Sequence, residues 1–178
     1  MVKIAFLVDC DGFILEHKFR PRELTIAYNS QHPLRYGFDL RPFKPINNKE
    51  FKTMTYCYRR IHLIQKDPYP GEDVRDPESW GQIIWCHLEY LKNKTGRCDL
   101  VVAYKGNQFI GDLLIENEIP SLDIEKMGCP KLEECFEIEH CRPCRFHDNK
   151  WGKHCPCYKA ATFYTWLKHK RNEMLLRL

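Results

Sequence analysis

The sequence predicts an α/β fold, on three observations. The chain opens with a short apolar run that stops on acidic residues, KIAFLVDC. Two alternating, β-branched segments follow it, and from Asn47 the pattern switches to helical spacing and then alternates with further strand-like runs. At 178 residues the size prior gives a single domain spanning 1–178, long enough to bury a core without external staples.

Each element has its own signal. KIAFLVDC reads as a buried strand closed by the turn residue Gly12, RELTIAYN as a second strand, and LRYGFDLRPF as a third that ends at prolines. From Asn47, Phe51, Met54, Tyr58, Ile61 and His62 recur on one side of a helix, the side expected to pack on the sheet. KDPYPGEDVRDPES is loop. SWGQIIWCHLEYLKNKTG is the clearest helix, with Ser79 as N-cap, Ile83, Ile84, His87, Leu88 and Leu91 on its face, and Gly96 beyond its end. CDLVVAYKG reads as a buried strand, NQFIGDLLIENE as a short helix, PSLDIEKMG as a strand-like segment, and YKAATFYTWLKHKRNEMLL as a closing amphipathic helix. Three strands in series followed by alternating helices and strands give a mixed five-stranded sheet with helices on both faces, the ribonuclease H-like arrangement. There is no internal repeat.

Composition narrows the function classes. Apolar residues make up 43% and charged residues 29%, as in a soluble globular protein. The N-terminal apolar run reaches Asp9 too soon for a signal peptide or a membrane span, so the expected location is the cytosol or nucleus, with no membrane partner. There, ten cysteines are expected as thiols and metal ligands rather than as a disulfide framework. A net charge of +4 and a pI of 8.5 permit nucleic-acid binding without requiring it.

The densest ligand chemistry is EIEHCRPCRFHDNKWGKHCPCYKA, Glu137 to Ala160. Structural zinc takes four ligands at tetrahedral corners, two of them commonly from a tight turn. Cys141 with Cys144 and Cys144 with His147 have that spacing, and Cys155, Cys157 or His154 would supply the return. The stretch is too polar, with Arg142, Arg145, Asp148, Lys150 and Lys153, for its thiols to be mere small hydrophobes. The order and spacing fail those of a zinc deaminase. The expected cofactor is therefore zinc in a structural site.

A second constellation is Asp9 and Asp11, two carboxylates on one face of a strand because strand side chains repeat every two residues. Two-metal nucleases place such a pair on the first strand to hold the ions that clamp a phosphate. This strand, LVVAYKGNQFIGDLL, IPSLDIEKMGCP and KHCPCYKAATFYTWL stand in the order of the DEDDh exonucleases. The chain resembles more closely the Maelstrom domain of the piRNA pathway and related insect proteins, through FRPRELTIA and CRFHDNKWGKHC. The resemblance is one of motif pattern and covers most of the chain.

Carried over residue by residue, the resemblance implies a zinc ion held by Glu23, Cys144, His147 and Cys155, tying the second strand to the last helix. Cys141 and Cys157 are extra, and as thiolates either would be a softer partner for zinc than Glu23. The same alignment puts Phe109 where the middle-motif carboxylate of an active exonuclease would stand, with Asp112 three residues on. His154 holds the histidine position, and Lys159 replaces the last carboxylate. Two of the four metal-binding acids are missing, which implies an exonuclease fold without its two-metal chemistry, in which a lysine could bind phosphate as a point charge.

The expected function is a zinc-stabilised, catalytically degenerate exonuclease-like domain. It would bind single-stranded or structured RNA through Lys105, Lys153 and Lys159, with Tyr104, Phe109 and Trp151 available for stacking, in an RNA-silencing or mobile-element context. The resemblance also implies residual metal-independent ribonuclease activity. Two alternatives remain: an active metal-dependent nuclease using Asp9, Asp11, Asp112 and His154, and a protein-interaction adaptor with no nucleic-acid role.

Overall fold

In the computed structural model, residues 3–61, 64–135 and 155–175 are described. The apolar opening run forms β1 (Lys3–Leu15), a strand covered on both faces and the longest in the sheet. β2 (Lys18–Ala27) returns antiparallel to it, and β3 (Leu34–Phe38) pairs antiparallel with β2. β4 (Val74–Arg75) adds in parallel outside β3. On the other side of β1, β5 (Leu100–Tyr104) and β6 (Ser121–Asp123) are parallel to it in turn. The result is a mixed six-stranded sheet of order β4-β3-β2-β1-β5-β6. The expectation of five strands is corrected by β4, two residues inside a Pro- and Asp-rich segment too short for any periodic signal.

Four helices cover the sheet: α1 (Asn48–Tyr56), which runs on into a π-helical turn at Cys57–Ile61, α2 (Trp80–Thr95), α3 (Gln108–Glu116) and α4 (Pro156–Leu175). Their ends follow local chemistry. Asn47 and Asn107 cap α1 and α3 with side-chain oxygens that accept from first-turn amides, and Gly96 takes the left-handed conformation past the end of α2. Among the described residues no helix is long and apolar enough to cross a membrane.

Alternation along the strands separates two cores. Phe6, Val8 and Cys10 of β1 join Leu24, Ile26 and Phe38 against Ile84 and Leu88 of α2 and Ile110 and Leu114 of α3. On the opposite face Leu7, Ala27 and Ala103 meet Ala160, Phe163 and Leu167 of α4. Burying an anchor such as Phe163 is worth about 1.5–3 kcal/mol, so α4 is fixed by apolar contact at its middle and by charge near its start. A third cluster, Phe13, Leu15 and Leu40, receives Met54 and Cys57 from α1.

α1 departs from its expected orientation. Of the side expected to pack on the sheet, Phe51, Tyr58 and Ile61 are exposed, Met54 packs inward and His62 lies outside the described residues, while Glu50 is turned inward. The Glu50 carboxylate accepts from the amides of Glu16 (3.1 Å), His17 (2.7 Å) and Ile46 (3.0 Å). Glu16 and His17 form the two-residue β1–β2 turn with φ of 54° and 63°, a left-handed conformation that L residues adopt at a cost, and Glu50 offsets that cost by satisfying both amides.

Gly12 is not the strand end the sequence suggests. β1 continues to Leu15, and the register against β2 shifts between Asp11 and Gly12, leaving Arg22 as the extra residue of a β-bulge. There the carbonyl of Arg20 comes so close that a side chain at Gly12 would collide with it. Gly12→Ala is expected to cost about 3 kcal/mol, measured as a lower urea midpoint with an unchanged slope; an unchanged midpoint would mean the two backbones do not approach so closely.

Candidate functional site

Asp9 and Asp11 stand in the middle of β1, paired across the ladder with Thr25 and Glu23 of β2. Pairing puts all four side chains on the face covered by α4. In the first turn of α4, Lys159 reaches down onto this face. Its Nζ donates to Asp11 Oδ2 at 2.8 Å and forms an ion pair with Asp9 Oδ2 at 2.9 Å. A single ammonium thus bridges both carboxylates at a site where Asp9 and Asp11 are buried.

The charges explain one another. Burial pushes the Asp9 carboxyl up to about 6; Lys159 opposes the rise and the Asp11 carboxylate adds to it. Desolvation works against the Lys159 ammonium, but Asp11 and Asp9 outweigh it and hold the group charged above the usual lysine range. Burial, with the same two carboxylates, pushes the intervening Cys10 thiol well up, so it is inert as a nucleophile and serves as a small apolar group in the other core.

Beside this triad lies a second buried charge system that sequence reasoning missed. Arg22, at the bulge, has no exposed surface, and its guanidinium donates to Glu72 Oε1 at 3.0 Å and to the carbonyls of Gln65, Lys66 and Asp67 at 3.1–3.2 Å. Arg35 donates to Glu72 at 2.7 Å and pairs also with Glu23. Two guanidiniums and two carboxylates therefore balance in charge and clamp the 65–72 segment to β2 and β3. Burial works to raise the Glu72 carboxyl, but Arg22, the Tyr69 amide and Arg35 hold it below the ordinary value. The sequence signal available was an arginine next to the buried end of a strand, and without the bulge nothing in the alternation turns it inward.

Of the expected zinc ligands, Glu23 and Cys155 are described, while Cys144 and His147 lie outside the described residues, as do Cys141 and His154. Glu23 is fully buried beside Arg35, and Cys155 is buried at the start of α4. Cys157 is buried as well, its Sγ 3.4 Å from Thr25 Oγ1, two residues along β2 from Glu23. The start of α4 therefore brings thiol chemistry against the strand that carries Glu23, a donor set of the type zinc accepts. Among the described residues alone, no three His, Cys, Asp or Glu side chains are grouped to hold a metal ion.

The residues expected to bind nucleic acid divide differently. The Lys159 ammonium is engaged with Asp9 and Asp11 rather than facing a ligand. Lys105, mostly buried, pairs with Glu125 at 3.3 Å and lies over the Phe163 ring. Lys153 and Trp151 lie outside the described residues. Phe109 stacks on Phe19 with ring centroids 4.9 Å apart, and Asp112 lines a cavity of about 450 Å³ with Phe19, Trp80 and Glu116. α3 packs in the core that Cys10 shares, on the side of the sheet away from Asp9 and Asp11, so Asp112 is not drawn into their cluster.

Compared with protein-family models and with curated proteins, the chain has no match to either.

Asp9 holds its proton more tightly folded, near 6, than at its ordinary value of 3.8, so its contribution to stability is greatest below about pH 4 and is lost as pH rises through 6. Lys159→Met is expected to move the Asp9 titration still higher, followed by carboxyl-carbon NMR, and to cost about 3 kcal/mol at neutral pH, because the carboxylates lose the cation they share. An Asp9 titration that stays in place in Lys159→Met would contradict the bridge.

Proposed function

We propose that the chain is a ribonuclease H-like domain of exonuclease descent and Maelstrom type, with its two-metal centre closed by Lys159, that binds single-stranded or structured RNA without divalent-metal catalysis. The observation that carries the reading is the Lys159 ammonium lying 2.9 and 2.8 Å from Asp9 and Asp11. In a two-metal nuclease those carboxylates would hold the ions that bring together the attacking and leaving oxygens. Here one positive charge already lies between them from within the chain, and a divalent ion would have to displace an ammonium hydrogen-bonded to Asp11 and ion-paired with Asp9. The strand order supports the reading. Apart from the short β4, three antiparallel strands are followed by two parallel ones, in the order β3-β2-β1-β5-β6.

Zinc belongs to the same proposal. Glu23 and Cys155, with Cys144 and His147, would hold it, and its binding energy would serve as folding energy joining β2 to α4. The chemistry it supplies is structural. A cytosolic or nuclear setting and a role in RNA silencing or mobile-element control follow from the resemblance, and so does any residual metal-independent ribonuclease activity.

Fluorescein-labelled single-stranded RNA is expected to bind equally well in EDTA and in magnesium, with log affinity falling linearly in log salt, and to remain intact with magnesium or manganese. Cleavage that needs magnesium and is abolished by Asp9→Ala would instead establish an active nuclease, and absence of RNA binding would leave the adaptor. Lys159→Asp tests the geometry from the other direction: it gathers three carboxylates, so manganese should raise the melting temperature of this variant and not of the parent protein.

One equivalent of zinc by elemental mass spectrometry is the expected content. It should be lost in Cys144→Ser and weakened in Glu23→Ala. Zinc indifferent to Glu23 but dependent on Cys141 or Cys157 would move the site.

A further inference from the structure

We infer that the outward face of α1 and its π-helical turn, Lys44 to Ile61, is the surface on which single-stranded RNA lies, an assignment that rests on the RNA-binding reading above. Three large aromatic side chains stand out in solvent here, Phe51 at 55%, Tyr56 at 58% and Tyr58 at 46% exposure, with Ile46 and Ile61 beside them. The packed side of the helix is taken up elsewhere, since Met54 and Cys57 enter the cluster of Phe13, Leu15 and Leu40. The aromatic rings are therefore left over once the core is complete, and the helix needs none of them to stay attached.

The charge on the same face has one sign. Lys44, Lys49, Lys52, Arg59 and Arg60 are exposed, and none pairs with a carboxylate among the described residues. The only acid in the segment, Glu50, is directed inward onto the β1–β2 turn. Helical spacing arranges these groups in two rows at the borders of the exposed arc, Lys49, Lys52, Tyr56 and Arg60 at successive steps of three or four on one side and Phe51, Thr55 and Tyr58 on the other, with Arg59 between them.

Alternating rings and cations are what a single-stranded nucleic acid requires, because its phosphates follow a positive track while its unpaired bases stack on aromatic faces whatever their sequence. A membrane surface calls for a continuous apolar stripe, and here Lys52, Thr55 and Arg59 interrupt the rings. Lys105 and Lys159, by contrast, are committed to Glu125 and to Asp9 and Asp11. Among the described residues, α1 carries cations that no carboxylate engages.

The test compares the full chain with two surface variants, K49A/K52A/R59A/R60A and F51A/Y58A, in anisotropy titrations with fluorescein-labelled single-stranded RNA at several salt concentrations. Thermal melts and binding to phosphatidylserine vesicles run in parallel. All six positions are exposed, so melting temperatures are expected to hold. The charge variant is expected to bind more than tenfold more weakly and to lower the slope of log affinity against log salt by about 3, and the aromatic variant to lose about tenfold with its slope unchanged. RNA binding by the parent protein that both variants retain would overturn the α1 assignment and leave the functional reading standing. A parent protein that does not bind RNA, whether or not it binds vesicles through these residues, would overturn both.

Discussion

The contact between the Lys159 ammonium and the carboxylates of Asp9 and Asp11 constrains most of what surrounds it. It joins the first turn of the last helix to the central strand, and it does so where the sheet has no apolar side chain to offer on that face. α4 needs two kinds of attachment for this reason. Phe163 and Leu167 pack on Leu7, Ala27 and Ala103 further along, and Lys159 supplies the anchor where β1 turns acidic. Two buried carboxylates two residues apart on one strand would repel each other and destabilise the sheet unless a cation lay between them. The cation can be a metal ion or a side chain, and this chain carries the side chain.

The neighbouring four-residue network obeys the same rule and serves a different end. Arg22 and Arg35 with Glu23 and Glu72 balance in charge, so their attraction is spent on fixing the 65–72 segment to β2 and β3. The β-bulge makes this possible by releasing Arg22 from strict alternation. Asp9, Asp11 and Lys159 are not balanced in this way: two carboxylates share one ammonium, and burial pushes Asp9 up to about 6 against the pull of Lys159. The balanced network can be pure structure. The unbalanced one joins the start of α4 to the central strand.

The fold was legible in the sequence wherever a signal was local and long. β1 announced itself by an apolar run, β2 by alternation and β-branching, α2 by Ile83, Ile84 and Leu88 together with Gly96, and α3 as a short helix after a buried strand. β4 was not legible, since two residues carry no period, and the extension of β1 beyond Gly12 was hidden because glycine reads as a turn while here it serves close approach to Arg20. At the candidate site the pairing of Asp9 with Asp11 was legible from spacing alone. The answering charge was legible only through the resemblance that set Lys159 beside them, and its direction, into the carboxylates rather than out to a phosphate, depends on how α4 crosses the sheet.

The rotation of α1 about its axis, which keeps Met54 inside and carries Phe51 out, shows where pattern reading reaches its limit. Periodicity detects that a helix has two unlike sides, but which side meets the core is decided by what the core lacks. Here the hairpin turn at Glu16 and His17 presents two amides in a strained left-handed conformation, and an inward carboxylate satisfies both, so Glu50 goes in and the face it defines follows it. Met54 and Cys57, four and seven residues on, complete that face with modest volume. Phe51, Tyr56 and Tyr58 are then carried outward as a geometric consequence. A helix that exposes its largest rings while burying an acid gives up apolar burial worth several kcal/mol, on the usual figure of about 1.5–3 kcal/mol per large side chain. The capped turn returns part of this; the remainder is balanced if those rings find bases to stack on.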